Sequence, residues 1–317
     1  MATSHTLPPH VVAGYSVPRV MFQVLLALVP VAGVQVYLYG PRLLVLLAVA
    51  CVAALSCEAL ALALRRRDPQ PSLRDGSVLV TAALLALAVP PTLPLWLLAF
   101  GVAIAVLIAK HAYGGLGQNP FNPAMVGYAV LLVSFPLEMT RWPAPGAEWD
   151  AMTGATALDT LRTGLRQSYT MQEILSGPAF GQVGATGGEW INVAALAGGL
   201  YLLARGIIRW HIPAAMLAGL AIPAALANLF DPGAHAGAAF HLAAGATMLG
   251  AFFIATDPVS AATSDRGRLL YGAGIGALTW VIRTWGGFPD GVAFAVLLMN
   301  LAVPLIDRYT VPRIYGH

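Results

Sequence analysis

About ten apolar runs leave this chain few ways to fold. They lie near residues 20–38, 42–64, 76–90, 94–111, 122–138, 190–208, 212–229, 238–255, 268–285 and 288–307. About 20 apolar residues in a helix cross roughly 30 Å of hydrocarbon. In that medium every backbone polar group must be satisfied internally, which favours helices. Only 10% of the residues are charged and 58% are hydrophobic, with a mean hydropathy of +0.74. A water-soluble domain carries about 25% charge. The expected fold class is therefore an all-α polytopic membrane protein. The third run, around Val78–Pro90, and the eighth, around Phe240–Ala255, are short and run into proline.

Several function classes fall away. The net charge of +3 is small and unevenly placed, which is no nucleic-acid signal. Cys51 and Cys57 stand six apart in an apolar run with no C-x-x-C pair. This chain alone therefore builds neither an iron–sulfur cluster nor a zinc ribbon, and no metal site is expected. Its N-terminal stretch carries prolines and histidines where a signal peptide would carry Lys or Arg, so the first run is expected to stay as a helix.

Charge sets the expected orientation. With the N-terminus inside, 12 Lys and Arg residues fall on the inner side and 5 on the outer, of which Arg141, Arg162 and Arg166 lie in one long polar segment. Both termini are thus expected in the cytoplasm, and the segment 139–189 outside. The chain divides into a first membrane repeat (1–138), the external loop (139–189) and a second repeat (190–317). Fifty-odd residues without clear secondary structure are usually functional or disordered.

The two halves resemble each other. Lys110-His111-Ala112-Tyr113-Gly114-Gly115 precedes Phe121 and Tyr128-Ala129-Val130-Leu131-Leu132; Arg283-Thr284-Trp285-Gly286-Gly287 precedes Phe294-Ala295-Val296-Leu297-Leu298. Upstream, Val89-Pro90-Pro91 corresponds to Thr256-Asp257-Pro258. About five spans in each half, an odd number, make the copies antiparallel. Inverted repeats with broken helices place a site near the membrane midplane.

Four groups of residues carry candidate chemistry. The turn from Gly114 to Pro123 holds Gly114, Gly115, Gly117, Asn119 and Asn122. Its glycines let backbone approach a ligand, and Asn122 suits a helix cap; a purely structural turn remains the alternative. Glu58 lies about two turns inside the second run, roughly 10 Å from its end. With His241 and Asp257 it is a candidate for an ion path, because ionisable groups at such depth are costly and face partners or cavities. Finally, Asp150-Ala151-Met152-Thr153-Gly154-Ala155-Thr156 places two hydroxyls among small residues in the long loop. A modifying enzyme needs that accessibility, and Asp150 is placed to cap a short turn or to help hold the metal ion of an incoming phosphate.

These residues together resemble a known family. Asp150-x-x-Thr153-Gly154-Ala155-Thr156 is similar to the site at which a flavin transferase attaches FMN to threonine through a phosphoester. Gly114-Gly115-Leu116-Gly117-Gln118-Asn119-Pro120-Phe121-Asn122-Pro123-Ala124-Met125 resembles the signature of the NqrB/RnfD family, and within it of RnfD, from the ion-translocating Rnf electron-transport complex. NqrB, its counterpart in the sodium-translocating NADH:quinone oxidoreductase, shares the layout, but its N-terminal extension is longer. The resemblance covers nearly the whole chain and implies that Thr156 carries the FMN. The family more often has serine where Thr153 stands, and a hydroxyl is kept. It further implies a second, non-covalent flavin, riboflavin, near the cytoplasmic side, with the Gly114–Pro123 turn as the place to look.

The implied function is a membrane flavoprotein component of a redox-driven translocase. It would relay electrons between ferredoxin and NAD while Na⁺ or H⁺ crosses a bacterial inner membrane. Iron–sulfur and NAD-site subunits and a second FMN-bearing subunit are the implied partners. Flavins take one or two electrons, with the protein tuning their potential. By fold alone, a secondary transporter or channel of inverted-repeat design is the competing reading.

Overall fold

The computed structural model describes residues 16–143, 145–146, 156–288 and 290–310. The described chain is helical, and no strand forms in it; an isolated bridge joins Phe180 to Ala185. Helix occurs in each of the ten apolar runs. The first half holds α1 (Val17–Tyr39), α2 (Arg42–Leu64), the short α3 (Gln70–Arg74), α4 (Ser77–Ala88), α5 (Leu95–Ala103), α6 (Pro123–Ser134) and α7 (Pro136–Thr140). After α8 (Ala157–Arg166) and α9 (Met171–Leu175) come α10 (Gly188–Ala204), α11 (His211–Phe230), α12 (Ala238–Ala243), α13 (Thr247–Leu249), α14 (Asp265–Trp285) and α15 (Val292–Thr310). By length and composition α1, α2, α11 and α15 suffice to cross a membrane; α4, α5 with its extension, α6 and α10 are shorter apolar helices.

Two stretches are wound more loosely. α5 continues as π-helix over Ile104–His111, and α13 does so over Gly250–Ile254. Ala112 donates to the Leu107 carbonyl, and Ala255 to that of Gly250, each five residues back. Such widened turns redirect the side chains that follow and recur at functional sites.

One apolar core draws on both halves, with Val31, Leu46, Leu85 and Leu98 from the first and Tyr271, Ile275 and Val296 from the second. Polar side chains fasten it at helix ends. Gln35 of α1 donates to the Leu87 carbonyl in the last turn of α4 at 3.0 Å. The Asn122 N–H donates to Asn300 Oδ1 at 3.1 Å, and Asn300 Nδ2 donates to the Tyr271 hydroxyl at 2.7 Å.

The α11–α14 contact is built on small residues. A side chain added at Gly276 would run into the backbone of Met216, Gly219 and Leu220, and one at Gly272 into that of Ile212. Backbone cannot swing aside as a side-chain tip can. Gly276→Val is therefore expected to destabilise the fold by at least the ~1–3 kcal/mol typical of overpacking. A lower thermal midpoint in detergent checks it, and an unchanged midpoint would show that the helices do not pack this closely.

Within the segment 139–189, residues 156–189 are more ordered than their composition suggests. Ala157, Leu158 and Leu161 of α8 and Ile174 of α9 pack with Ala236, Phe240 and Ala244 in a second, smaller cluster. α9 opens on a capping box: Thr170 Oγ1 accepts the Glu173 N–H, while the Glu173 carboxylate accepts the Thr170 N–H at 2.8 Å. That N–H first, and the Thr170 hydroxyl second, hold the Glu173 carboxyl below the usual carboxylate range.

Candidate functional site

Thr156 is the last residue of the loop motif and the one described residue in it; Asp150, Thr153, Gly154 and Ala155 lie outside the described residues. It is the N-cap of α8, with extended backbone and its Oγ1 accepting the Asp159 N–H at 3.2 Å. A Thr hydroxyl at this position satisfies one of the helix's orphan donors. The helix is held in place from its other face. Arg162 pairs with Asp159 and donates to the carbonyls of Gly286 and Phe288 at 3.0 and 2.9 Å. So Arg162 ties α8 to the turn after α14.

Thr156 lines a cavity of about 470 Å³. Tyr39, Tyr128 and Trp142 give it aromatic walls, and it reaches inward to Met125 and Ile254. Asn192 and Asp290 supply its polar edge.

That edge is the break in the eighth apolar run. α12 ends at Ala243 and α13 begins at Thr247, leaving helix-end groups that need partners inside the protein. Arg283 supplies the positive side, donating to the His241 and Ala244 carbonyls at 2.8 and 3.2 Å and to Thr247 Oγ1 at 3.0 Å. Asp290 supplies the negative side, accepting the Ala246 N–H at 2.9 Å while pairing with Arg283 Nε at 2.9 Å. Asn192 bridges both ends: its Nδ2 donates to the Ala243 and Gly245 carbonyls, and its Oδ1 accepts the Met248 N–H. Gly245, at φ +61°, has no room for a side chain, because Asp290 and Arg283 occupy the space. His241 therefore sits at the break. It is buried, and its Nδ1 has no partner.

A second cavity, of about 130 Å³, lies at the glycine turn. Gly114, Gly115 and Gly117 all have positive φ, at +131°, +106° and +86°, a conformation L side chains rarely adopt. Leu116, Asn119, Asn122, Lys110 and Asp257 line this cavity, so turn and candidate acid meet there. Asn119 Nδ2 donates to the Phe121 carbonyl. Asn122 caps α6 by accepting the Met125 N–H, and its Nδ2 donates to the Ile254 carbonyl at the end of the second π-helical stretch. Asp257 Oδ2 accepts from Ser260 Oγ at 2.7 Å.

Glu58 stands behind this cavity and is fully partnered. Lys110 Nζ donates to its two oxygens at 2.9 and 3.0 Å, and His111 Nε2 lies 2.8 Å from Oε2. Lys110 also donates to Ser77 Oγ at 3.0 Å. Two charges that the orientation count assigned to the membrane surfaces, Lys110 and Arg283, are thus buried against carboxylates; no snorkelling head group is present at either. Of the candidate ion-path residues, Glu58 and Asp257 belong to this cluster and His241 to the other.

Sequence reading missed Lys110, His111, Asn192, Arg283 and Asp290 as site residues. A basic residue shortly before Gly-Gly at the end of an apolar run, once in each half, was the available signal.

The model of the NQR2, RnfD, RnfE family matches residues 4–316. The D subunit of the ion-translocating oxidoreductase complex of Pseudomonas aeruginosa is 54% identical over 338 aligned residues, covering 100% of this chain and 97% of the relative. The proteins of the same name from Vibrio cholerae and Vibrio vulnificus are 51% and 49% identical, each alignment covering 98% of both chains.

Proposed function

Because the chain belongs to the NQR2, RnfD, RnfE family, we propose that it is the membrane subunit of an Rnf-type ion-translocating oxidoreductase complex, carrying FMN as a phosphoester on Thr156. The observation that carries this reading is the place of Thr156, whose side chain lies at a helix N-terminus and on the wall of the aromatic-lined 470 Å³ cavity. The residues present fit the group. The N-terminus of α8, ten residues long, offers backbone N–H groups and a favourable dipole to the phosphate. Tyr39, Tyr128 and Trp142 offer faces to a planar ring, and Asn192 holds the cavity edge in shape. When bound, a flavin supplies one- and two-electron chemistry that these side chains lack. What the chain itself contributes is attachment, orientation and the exclusion of water from an apolar chamber.

The finer reading rests on the charge count and on the family resemblance. Ten spans arranged as two inverted five-helix repeats place both termini in the cytoplasm and Thr156 on the periplasmic side of a bacterial inner membrane. A buried basic residue before a Gly-Gly turn and a π-helical stretch in each half support the repeat. The smaller cavity at Asn119 and Asn122 is the place for the second, non-covalent flavin, riboflavin. Electrons run between ferredoxin and NAD through iron–sulfur and NAD-site subunits, with a second FMN-bearing subunit and a flavin transferase as further partners. Na⁺ or H⁺ is the translocated ion, which makes the assembly a translocase.

A secondary transporter or channel is favoured by one specific observation, the charge-braced helix break beside a large cavity. Intact-chain mass spectrometry separates the two readings. Protein made in a host with the flavin transferase is expected to be heavier by one FMN less one water. An unmodified mass in that host would favour the transporter.

A further inference from the structure

Each cavity has a buried ion pair in its wall, and the two pairs stand at corresponding places, their basic members shortly before a Gly-Gly turn. Their polarity differs. At the smaller cavity the wall residues are Lys110 and Ser77, while Glu58 and His111 lie behind them. At the larger cavity the wall residue is Asp290, with Arg283 behind. The Arg283 side chain is 0% exposed and that of Asp290 17%, so the carboxylate is the open end of this pair.

We propose that these oppositely poled ion pairs split the reduction potentials of two similar rings, raising that of a ring in the Lys110 cavity above that of a ring in the Asp290 cavity. The proposal rests on the flavin reading above and adds to it the residues that tune each site. Reducing a ring adds electrons and negative charge. A nearby ammonium stabilises that charge and a nearby carboxylate opposes it. In a water-poor interior both effects are stronger than at a surface, and salt screens them little. Each wall group is paired from behind: Glu58 accepts from Lys110 with both oxygens, and Arg283 donates to Asp290.

Other charged groups face the same spaces and act against the split. Asp257 lies in the wall of the Lys110 cavity, but its carboxylate is engaged in its own turn by Ser260 and the Val259 N–H. At the larger cavity, the N–H groups of Ala246 and Gly291 spread the Asp290 charge. Glu58 and Lys110 are thus positioning and tuning residues, and no contact with a reacting atom is required of them.

The test is an anaerobic potentiometric titration of the purified complex followed by absorbance, with this chain's covalent flavin assigned as the component that Thr156→Ala removes. Lys110→Gln is expected to weaken the preference for the reduced ring in the smaller cavity about tenfold, ~30 mV for a two-electron couple. Lys110→Arg, which keeps the charge, is expected to restore it. Asp290→Asn is expected to move the covalent flavin the other way, and it decides the matter independently if Lys110→Gln fails to assemble. Both flavins bound with unmoved potentials, or shifts of the opposite sign, would overturn the proposal alone. A wild-type complex without flavin would overturn the flavin reading, and this one with it.

Discussion

Thr156→Ala is expected to remove all flavin fluorescence from the denatured chain, whereas Thr156→Ser keeps it. The prediction is all-or-none because one oxygen carries the bond: a phosphoester needs a hydroxyl, and alanine has none. Serine keeps both the hydroxyl and its place as an N-cap. The substitution also deletes the acceptor for the Asp159 N–H, which costs about 0.5–2 kcal/mol for a helix cap. That loss is local. α8 remains held by Arg162 on the Gly286 and Phe288 carbonyls and by Leu158 and Leu161 in their cluster. Assembly of the variant into its complex is therefore expected to be normal, and checking it separates a missing cofactor from a missing protein. Fluorescence that survives Thr156→Ala would place the attachment elsewhere.

The helices were legible in the sequence, whereas the cap at Thr156 and the walls of the site were not, for different physical reasons. Helix shows through because apolar length is a local property: the runs at 42–64 and 212–229 match α2 and α11 almost residue for residue. α8 carries a local signal, Thr156-x-x-Asp159 with Leu158 and Leu161 on one amphipathic face, which the sequence reading did not use. Its polar surroundings hid it. Lys110 and Arg283 were misread as water-facing because counting charge along a chain ignores partners. Glu58 is 52 residues from Lys110, and the carbonyls that Arg283 caps lie 39 to 42 residues before it. The cavity at Thr156 draws walls from α1, α6, α10 and α15, so no local pattern announces it. The break at Ala244–Ala246 was half visible: a short run predicts a discontinuity, but its position is fixed by Arg283, Asp290 and Asn192 together.

That brace sets the largest stability effect expected of a single substitution. Arg283→Met would strip donors from the His241 and Ala244 carbonyls and from Thr247 Oγ1, and would leave Asp290 facing a helix end without its cation. Breaking one side of a buried pair costs about 3–5 kcal/mol, mostly through the uncompensated charge. Low membrane yield and a lower thermal midpoint in detergent are expected. Arg283→Lys is expected to recover only part, because an ammonium supplies the charge without the planar fork that reaches four acceptors at once. The decisive comparison is the double variant Arg283→Met with Asp290→Asn. Removing the orphaned charge leaves the unmet carbonyls but lifts the electrostatic penalty, so the double variant is expected to melt above the single one. If instead the double melts at or below the single, Asp290 is not held by Arg283's charge, and the helix break is kept by backbone packing and Asn192 alone.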